Sequence, residues 1–385
     1  MNHGWGKKRL GDVCDVIGGS TPKTEVKEFW NGNLNWFTPA EIADAKYYSS
    51  SDRKITTEAV KASGLTLMPP GTVLLTSRAP IGKVGITTEY SYCNQGFKNL
   101  ICRENLYNEY LYHTLIYFNE EIKAKGRGVT FKEISKKATE SISIPVPPLE
   151  VQKRIASELD KINELIEVKR SQLADLDVLA QSLFYEMFGD PIENPKEWKI
   201  SKVSEILETG SGGTPSKSVD EFWSSEDIPW IGSNMCQNKI LYETDGKFIS
   251  KLGLENSSAK LLEPDTIIIA LVGATIGKVA LLKIPTSTNQ NIGFIKPNKK
   301  IINPIFLFYT IQGLYSLFLE IGNGKFKMAN LSFIRNLPII IPPISLQNEF
   351  AMRIEAIEEQ KKSIESSITD LQTLLASRMD YWFND

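Results

Sequence analysis

At 385 residues, with 42% hydrophobic and 23% charged side chains, the chain is long enough for two or three cored domains and lacks the composition of a disordered protein. Four cysteines without a C-x-x-C pair, and only two histidines, His3 and His113, argue against a zinc site. The net charge of −2 and a pI near 6.0 exclude a uniformly basic nucleic-acid binder.

That mean charge conceals a segregation. Residues 1–146 hold 19 Lys and Arg against 15 Asp and Glu, and residues 191–341 hold 16 against 14. Residues 147–190 hold 5 against 9, and residues 342–385 hold 4 against 8. Such a division suits a chain in which one part meets phosphate and the other meets protein, although acidic heptad helices are also common for no special reason. The opening residues show no basic, apolar, small-residue leader. The most apolar stretch, residues 303–321, is broken by Pro304, Gln312, Gly313 and Glu320. A buried helix is expected there, and a cytoplasmic chain that makes no use of a membrane.

In chain order, residues 1–146 mix β-like runs such as Thr72, Val73, Leu74 and Leu75 with turn clusters and one amphipathic helix near residues 108–125, which predicts a compact α/β module. Residues 147–190 open on Pro147-Pro148 and close on Phe188-Gly189-Asp190-Pro191, the punctuation of one long helix. Residues 191–341 then repeat the first pattern, with a β-like run at Thr266–Ile269 and a helix near 303–321, and residues 342–385 repeat the second.

The repeat is read residue by residue. Trp5 returns as Trp198, Gly19-Ser20-Thr21-Pro22 as Gly212-Gly213-Thr214-Pro215, and Glu28-Phe29-Trp30 as Glu221-Phe222-Trp223, all at an offset of 193. Trp36 returns as Trp230 at 194, and Ile81-Gly82-Lys83-Val84 and Asn94-Gln95 return as Ile276-Gly277-Lys278-Val279 and Asn289-Gln290 at 195. Pro147-Pro148 and Gln152 match Pro342-Pro343 and Gln347 at that same offset. Matches in one order with a slowly drifting offset are the trace of duplication followed by loop insertion.

Each long helix carries a seam of alternating four and three spacing. The first runs through Ile155, Leu159, Ile162, Ile166, Lys169, Leu173, Leu176, Ala180, Leu183 and Met187. The second runs through Phe350, Ile354, Ile357, Lys361, Ile364, Ile368, Leu371, Leu375, Arg378 and Trp382. This periodicity predicts a coiled coil, and a lysine in each seam fixes register at some cost in stability. A module that returns its ends close together would release the second helix beside the end of the first, so an antiparallel pair is expected. Some 40 residues at 1.5 Å each would make a strut about 60 Å long. Two diverged modules on such a strut, related by a pseudo-two-fold axis, describe a ruler for two unlike DNA half-sites at a fixed gap.

The order of diverged module, Pro-Pro-opened helix, diverged module and Pro-Pro-opened helix resembles the specificity subunit of type I restriction-modification systems, over essentially the whole chain. The residues that carry the resemblance are the two Thr-Pro loops, the Trp30/Trp36 and Trp223/Trp230 pairs, the doubled Ile-Gly-Lys and Asn-Gln, and Pro147-Pro148-Leu149-Glu150-Val151-Gln152. It implies two tandem α/β (α+β) target recognition domains, residues 1–146 and 191–341, and two conserved helices, residues 147–190 and 342–385, that form the coiled-coil spacer. It also implies partners: double-stranded DNA, two modification methyltransferase subunits, and restriction or translocase subunits as further candidates. S-adenosylmethionine, ATP and Mg would then belong to those partners, with no cofactor or metal on this chain. The second helix departs from the pattern, reading Pro-Pro-Ile-Ser-Leu-Gln, which leaves open whether both helices grip partners equally.

Candidate DNA contacts are Thr21, Lys23, Arg78, Lys83 and Arg127 in the first module and Thr214, Lys217, Lys278, Lys325 and Lys327 in the second. Each has a plainer reading as turn chemistry or a solvated loop charge. Gly273-x3-Gly277-Lys278-Val279 is one residue short of a nucleotide-binding loop and has Val where a hydroxyl would hold magnesium. The four tryptophans suit core packing better than stacking on an extruded base. The sequence offers no methyltransferase Asn/Asp-Pro-Pro-aromatic motif, dinucleotide fingerprint, nuclease carboxylate pair or Ser-His-Asp set, so no catalysis is expected. The competing reading is a protein-binding scaffold.

Overall fold

The computed structural model describes residues 4–43, 45–78, 80–128, 132–321 and 328–384. It divides into two compact units, one of residues 1–170 with 366–385 and one of residues 171–365. Each long helix, Leu149–Phe188 and Ile344–Phe383, is continuous over 40 residues and contributes a part to each unit.

In the first unit a five-stranded sheet runs in the order Cys14–Gly18, Lys98–Cys102, Val73–Leu75, Val84–Thr87, Tyr47–Tyr48. Only its last pairing is parallel. A smaller sheet orders Lys54–Ile55, Trp30–Phe37 and Ser91–Cys93. The second unit repeats this plan, strand for strand in the large sheet, which is formed by Glu208–Ser211, Ile292–Lys296, Ile267–Ala270, Val279–Leu282 and Lys239–Leu241, and with one strand more in the small one. Phe248–Ile249, Ile228–Ile231, Thr286–Thr288 and Leu261–Leu262 form its small one. The duplication legible in the residues is thus a duplication of topology. The fully buried isoleucines Ile267, Ile268 and Ile269 show why so apolar a run serves here: the strand is covered on both faces.

The ends of each module meet. Lys7–Arg9 pairs antiparallel with Ser143–Pro145, and Lys199–Lys202 with Pro338–Ile341. The chain therefore leaves each module beside its entrance and passes straight into a long helix. Pro148 and Pro343 sit just before those helices and supply their first carbonyl acceptors, to Gln152 and Gln347 N–H. The first helix ends at Gly189 in a left-handed conformation, φ 78°, with its N–H on Tyr185 O, as its Gly-Asp-Pro punctuation predicts.

The helix expected over residues 108–125 is two helices, Asn108–Tyr117 and Asn119–Ala124, and its counterpart splits into Pro304–Gly313 and Tyr315–Leu319. The bends fall at Phe118 and Leu314, whose ψ angles of 14° and 10° leave the helical range. The Ile-Gly-Lys turns pack at these bends. A Cβ on Gly82 would lie 2.0 Å from Asn119 Oδ1 and one on Gly277 2.6 Å from Phe318 Cβ, and both glycines have positive φ.

Inside each unit the two helix portions run antiparallel. In the first, Glu158 meets Arg378 while Arg154, one turn earlier, meets Trp382, one turn later. In the second, Asp177 meets Lys361 while Phe184 and Phe188 close on Phe350. Seam residues Ile155, Leu159, Ile162, Ile166, Phe350, Ile354 and Ile357 are buried, while Leu173, Leu176, Ile364, Ile368 and Leu371 are half-buried.

Candidate nucleic-acid interface

The doubled Thr-Pro loops are built by one construction in both units. Gly19 and Gly212 pass so close to the neighbouring strand that a Cβ would stand 2.0 Å from Cys93 O and 2.3 Å from Thr288 O, so only glycine fits. The next residues, Ser20 and Gly213, donate their N–H to those same two carbonyls. The indoles of Trp36 and Trp230 donate to Ser20 O and Gly213 O, both at 3.0 Å, and those of Trp30 and Trp223 donate to Lys23 O and Ser216 O. Each Trp pair packs edge to face, at 5.1 and 5.2 Å. The tryptophans brace the loop, Trp36 and Trp230 buried and Trp30 and Trp223 half-buried, in agreement with the core-packing reading.

Braced in this way, Thr21 donates its hydroxyl to Gln95 Oε1 at 2.5 Å, and Thr214 does the same to Gln290. Asn94 and Asn289 fold the turn beneath by accepting from Gly96 and Asn291 N–H. Gln95 and Gln290 are exposed. Lys23 and Lys217 are exposed on the same loops. Each unit therefore carries a hydroxyl, an amide and an ammonium group at this loop, group types that can hydrogen-bond to DNA.

Arg78 and Arg127 come together in the first unit around Glu133, which bridges to both through backbone pairing. Arg78 Nε donates to Glu133 Oε2 at 2.9 Å, and Lys98 Nζ lies 3.3 Å from Oε1. Partial burial alone would raise the Glu133 carboxyl, but the hydrogen bonds and charges of Arg78 and Lys98 outweigh it and hold the group ionised below its ordinary range. Beside it lies a groove of about 600 Å³ lined by Lys125, Arg127, Glu133, Ser135, Lys137 and Ser141.

Lys83 and Lys278 behave differently. Lys83 Nζ donates to Ile42 O at 2.6 Å, so its ammonium serves the fold, and Lys278 reaches Gln237 Oε1 at 3.3 Å. Lys325 and Lys327 lie outside the described residues. Gln95, Gln290, Lys98 and Glu133 were not singled out from the sequence, although the doubling of Asn-Gln marked the two glutamines. Among the described residues no group of His, Cys, Asp or Glu is arranged to hold a metal, and no helix is long and apolar enough to cross a membrane.

The chain is thus a duplicated α/β module carrying an exposed polar loop, followed each time by a long acidic helix. The family model for the type I restriction modification DNA specificity domain matches twice, at residues 2–177 and 195–372, and the chain belongs to that family. It is 30% identical over 380 residues to the MjaIX specificity subunit of Methanocaldococcus jannaschii, covering 92% of this chain and 87% of that one. It is 34% identical over 165 residues to the EcoR124I/EcoR124II specificity subunit of Escherichia coli, covering 41% of each. The fold is also that of a solved S subunit from M. genitalium, with TM-score 0.58 and 16% identity over 99% of this chain and 96% of the other. A chain from a structure of type I R-M complex assembly and conformational transition aligns with TM-score 0.63 and 17% identity, over 98% and 96%. Members of this family are the non-catalytic, DNA-recognising subunits of their systems.

Proposed function

We propose that each recognition module reads one half of a split, asymmetric DNA target, and that the two long helices fix the spacer between the halves and bind two modification methyltransferase subunits. The observation that carries this reading is the duplication itself. One topology and one braced Thr-Gln loop recur in two modules whose other side chains have diverged, which is what two unlike half-sites read in one manner require. Thr21, Lys23, Thr214 and Lys217 are the shared contacts to the DNA backbone, and Arg78 and Arg127 add charge in the first module.

The helices suit protein partners. Both are acidic and expose apolar side chains, among them Leu165, Val168, Val178, Leu179, Met352 and Leu374. S-adenosylmethionine, and ATP and Mg where a restriction subunit joins, act on the partners, and the complex works in the cytoplasm. A ruler makes a specific demand. Inserting one heptad in each helix should lengthen the permitted gap between half-sites while leaving the half-sites unchanged. A scaffold that merely grips proteins would show no coupling between helix length and DNA spacing, and an unaltered gap would overturn the ruler.

A further inference from the structure

The two modules share a backbone around the Thr-Gln loop, so positions can be matched by hydrogen bonding rather than by sequence. Ser77 donates to Gly96 O and accepts from Ile134 N, while Leu271 donates to Asn291 O and accepts from Ala329 N. The next residue then bridges across: Arg78 to Glu133 in the first unit, Val272 to Met328 in the second. On the neighbouring strand Lys98 pairs with Gly18, and its counterpart Gly293 pairs with Ser211. The cluster of Arg78, Glu133 and Lys98 is therefore replaced, on the same backbone, by Val272, Met328 and Gly293.

The surroundings change in the same sense. The helix-ending Lys125 is matched by Glu320, and within the helices capped by Ser135 and Asn330, Lys137 and Ala138 are matched by Ser332 and Phe333. The basic groove of the first unit becomes, in the second, a groove of about 270 Å³ lined largely by Leu317, Ile321, Phe333 and Leu337.

A side chain that is identical in both modules cannot make two half-sites differ; one that differs beside an identical loop can. We propose that the facing pair Arg78 and Glu133, and its counterpart Val272 and Met328, are specificity-determining positions that give the two half-sites different base requirements. This rests on the reading of the modules as DNA readers.

The chemistry assigns each pair a target. Arg78 is 45% exposed and anchored to Glu133 through Nε alone. Among the described residues the rest of its guanidinium takes no further hydrogen bond. A guanidinium held by one edge presents its other nitrogens as a fixed fork, which matches the two acceptors, N7 and O6, on the major-groove edge of guanine. Met328 is 62% exposed beside the half-buried Val272, an apolar surface that fits the thymine methyl and leaves a guanine edge without donors.

The test transplants the pairs. The complex of this chain with its methyltransferase partner is prepared with R78V/E133M in the first module, or with V272R/M328E in the second, and methylated sites are mapped. The first variant should lose one guanine requirement in the first half-site, with discrimination there falling about tenfold or more, while the second half-site and the gap stay as they were. The second should gain a guanine requirement in the other half-site. If either variant fails to methylate, binding of the purified complex to duplexes carrying each base in turn at each half-site position gives the answer. A loss confined to one base position supports the assignment, and a loss equal at every position overturns it. Unchanged half-sites in both variants overturn the assignment while leaving the modules as DNA readers; a wild-type complex without a split target overturns both.

Discussion

Two pairs of glutamines illustrate how one doubled motif divides into structure and function at the residue scale. Gln152 is fully buried. It accepts from Tyr107 N–H and donates to Asn105 O and Pro147 O, and Gln347 repeats the three bonds with Asn303, Ile301 and Pro342. Each staples the start of a long helix to its module. Replacing Gln152 by Leu removes all three bonds and orphans the carbonyl of the buried Pro147, which should cost about 1–3 kcal/mol in unfolding measurements. Gln95 is exposed beside Thr21, and Gln95→Ala should cost about 0.5 kcal/mol or less. That substitution should instead weaken DNA binding by a similar factor on every sequence, as a contact to the DNA backbone would. A Gln95 variant that changed the half-site while keeping affinity would contradict this. The sequence marked all four glutamines by repetition, but burial alone separates a staple from a contact, and burial of a single polar residue is set by the tertiary fold. Glu133 was invisible for the same reason: one carboxylate among 46 acidic residues gains meaning only when Arg78 and Lys98 close on it.

Among the elements, the long helices were legible because a 3.5-residue seam and Pro-Pro and Gly-Asp-Pro punctuation are local signals. The split of residues 108–125 and 303–321 was not, since what meets each bend is a turn distant in sequence, Gly82 against Asn119 and Gly277 against Tyr315 and Phe318. The helix pairing has a stated strength. Phe350 is fully buried, with ring contacts to Phe184, Phe188 and Tyr309 at 5.3 to 5.7 Å. Phe350→Ala should therefore destabilise by about 3–5 kcal/mol, read as a lowered thermal midpoint, whereas truncating Val178, which is 64% exposed, should leave it nearly unchanged. Equal effects would mean that the helix portions do not depend on this aromatic contact. The lysine that interrupts the second seam, Lys361, is met in the second unit by the Asp177 carboxylate, while in the first unit the seam residues Arg378 and Trp382 both donate to Glu158.

For the whole molecule, the informative quantity in the sequence was the repeat, and the weak one was net charge. A total of −2 would have dismissed a DNA reader, had the basic modules not been counted apart from the acidic helices. Repetition reveals which side chains the two heads have in common and, by difference, where they part, as at Arg78 and Val272. It does not reveal the bases, because those depend on side-chain geometry at a DNA edge. The most direct test expresses this chain with and without a methyltransferase subunit of its own system in a methylation-free host and maps modified adenines across the genome. The account predicts a split motif of two unlike halves with a fixed gap, present only when both subunits are present. A continuous motif, modification independent of this chain, or a stable complex that methylates nothing would contradict it.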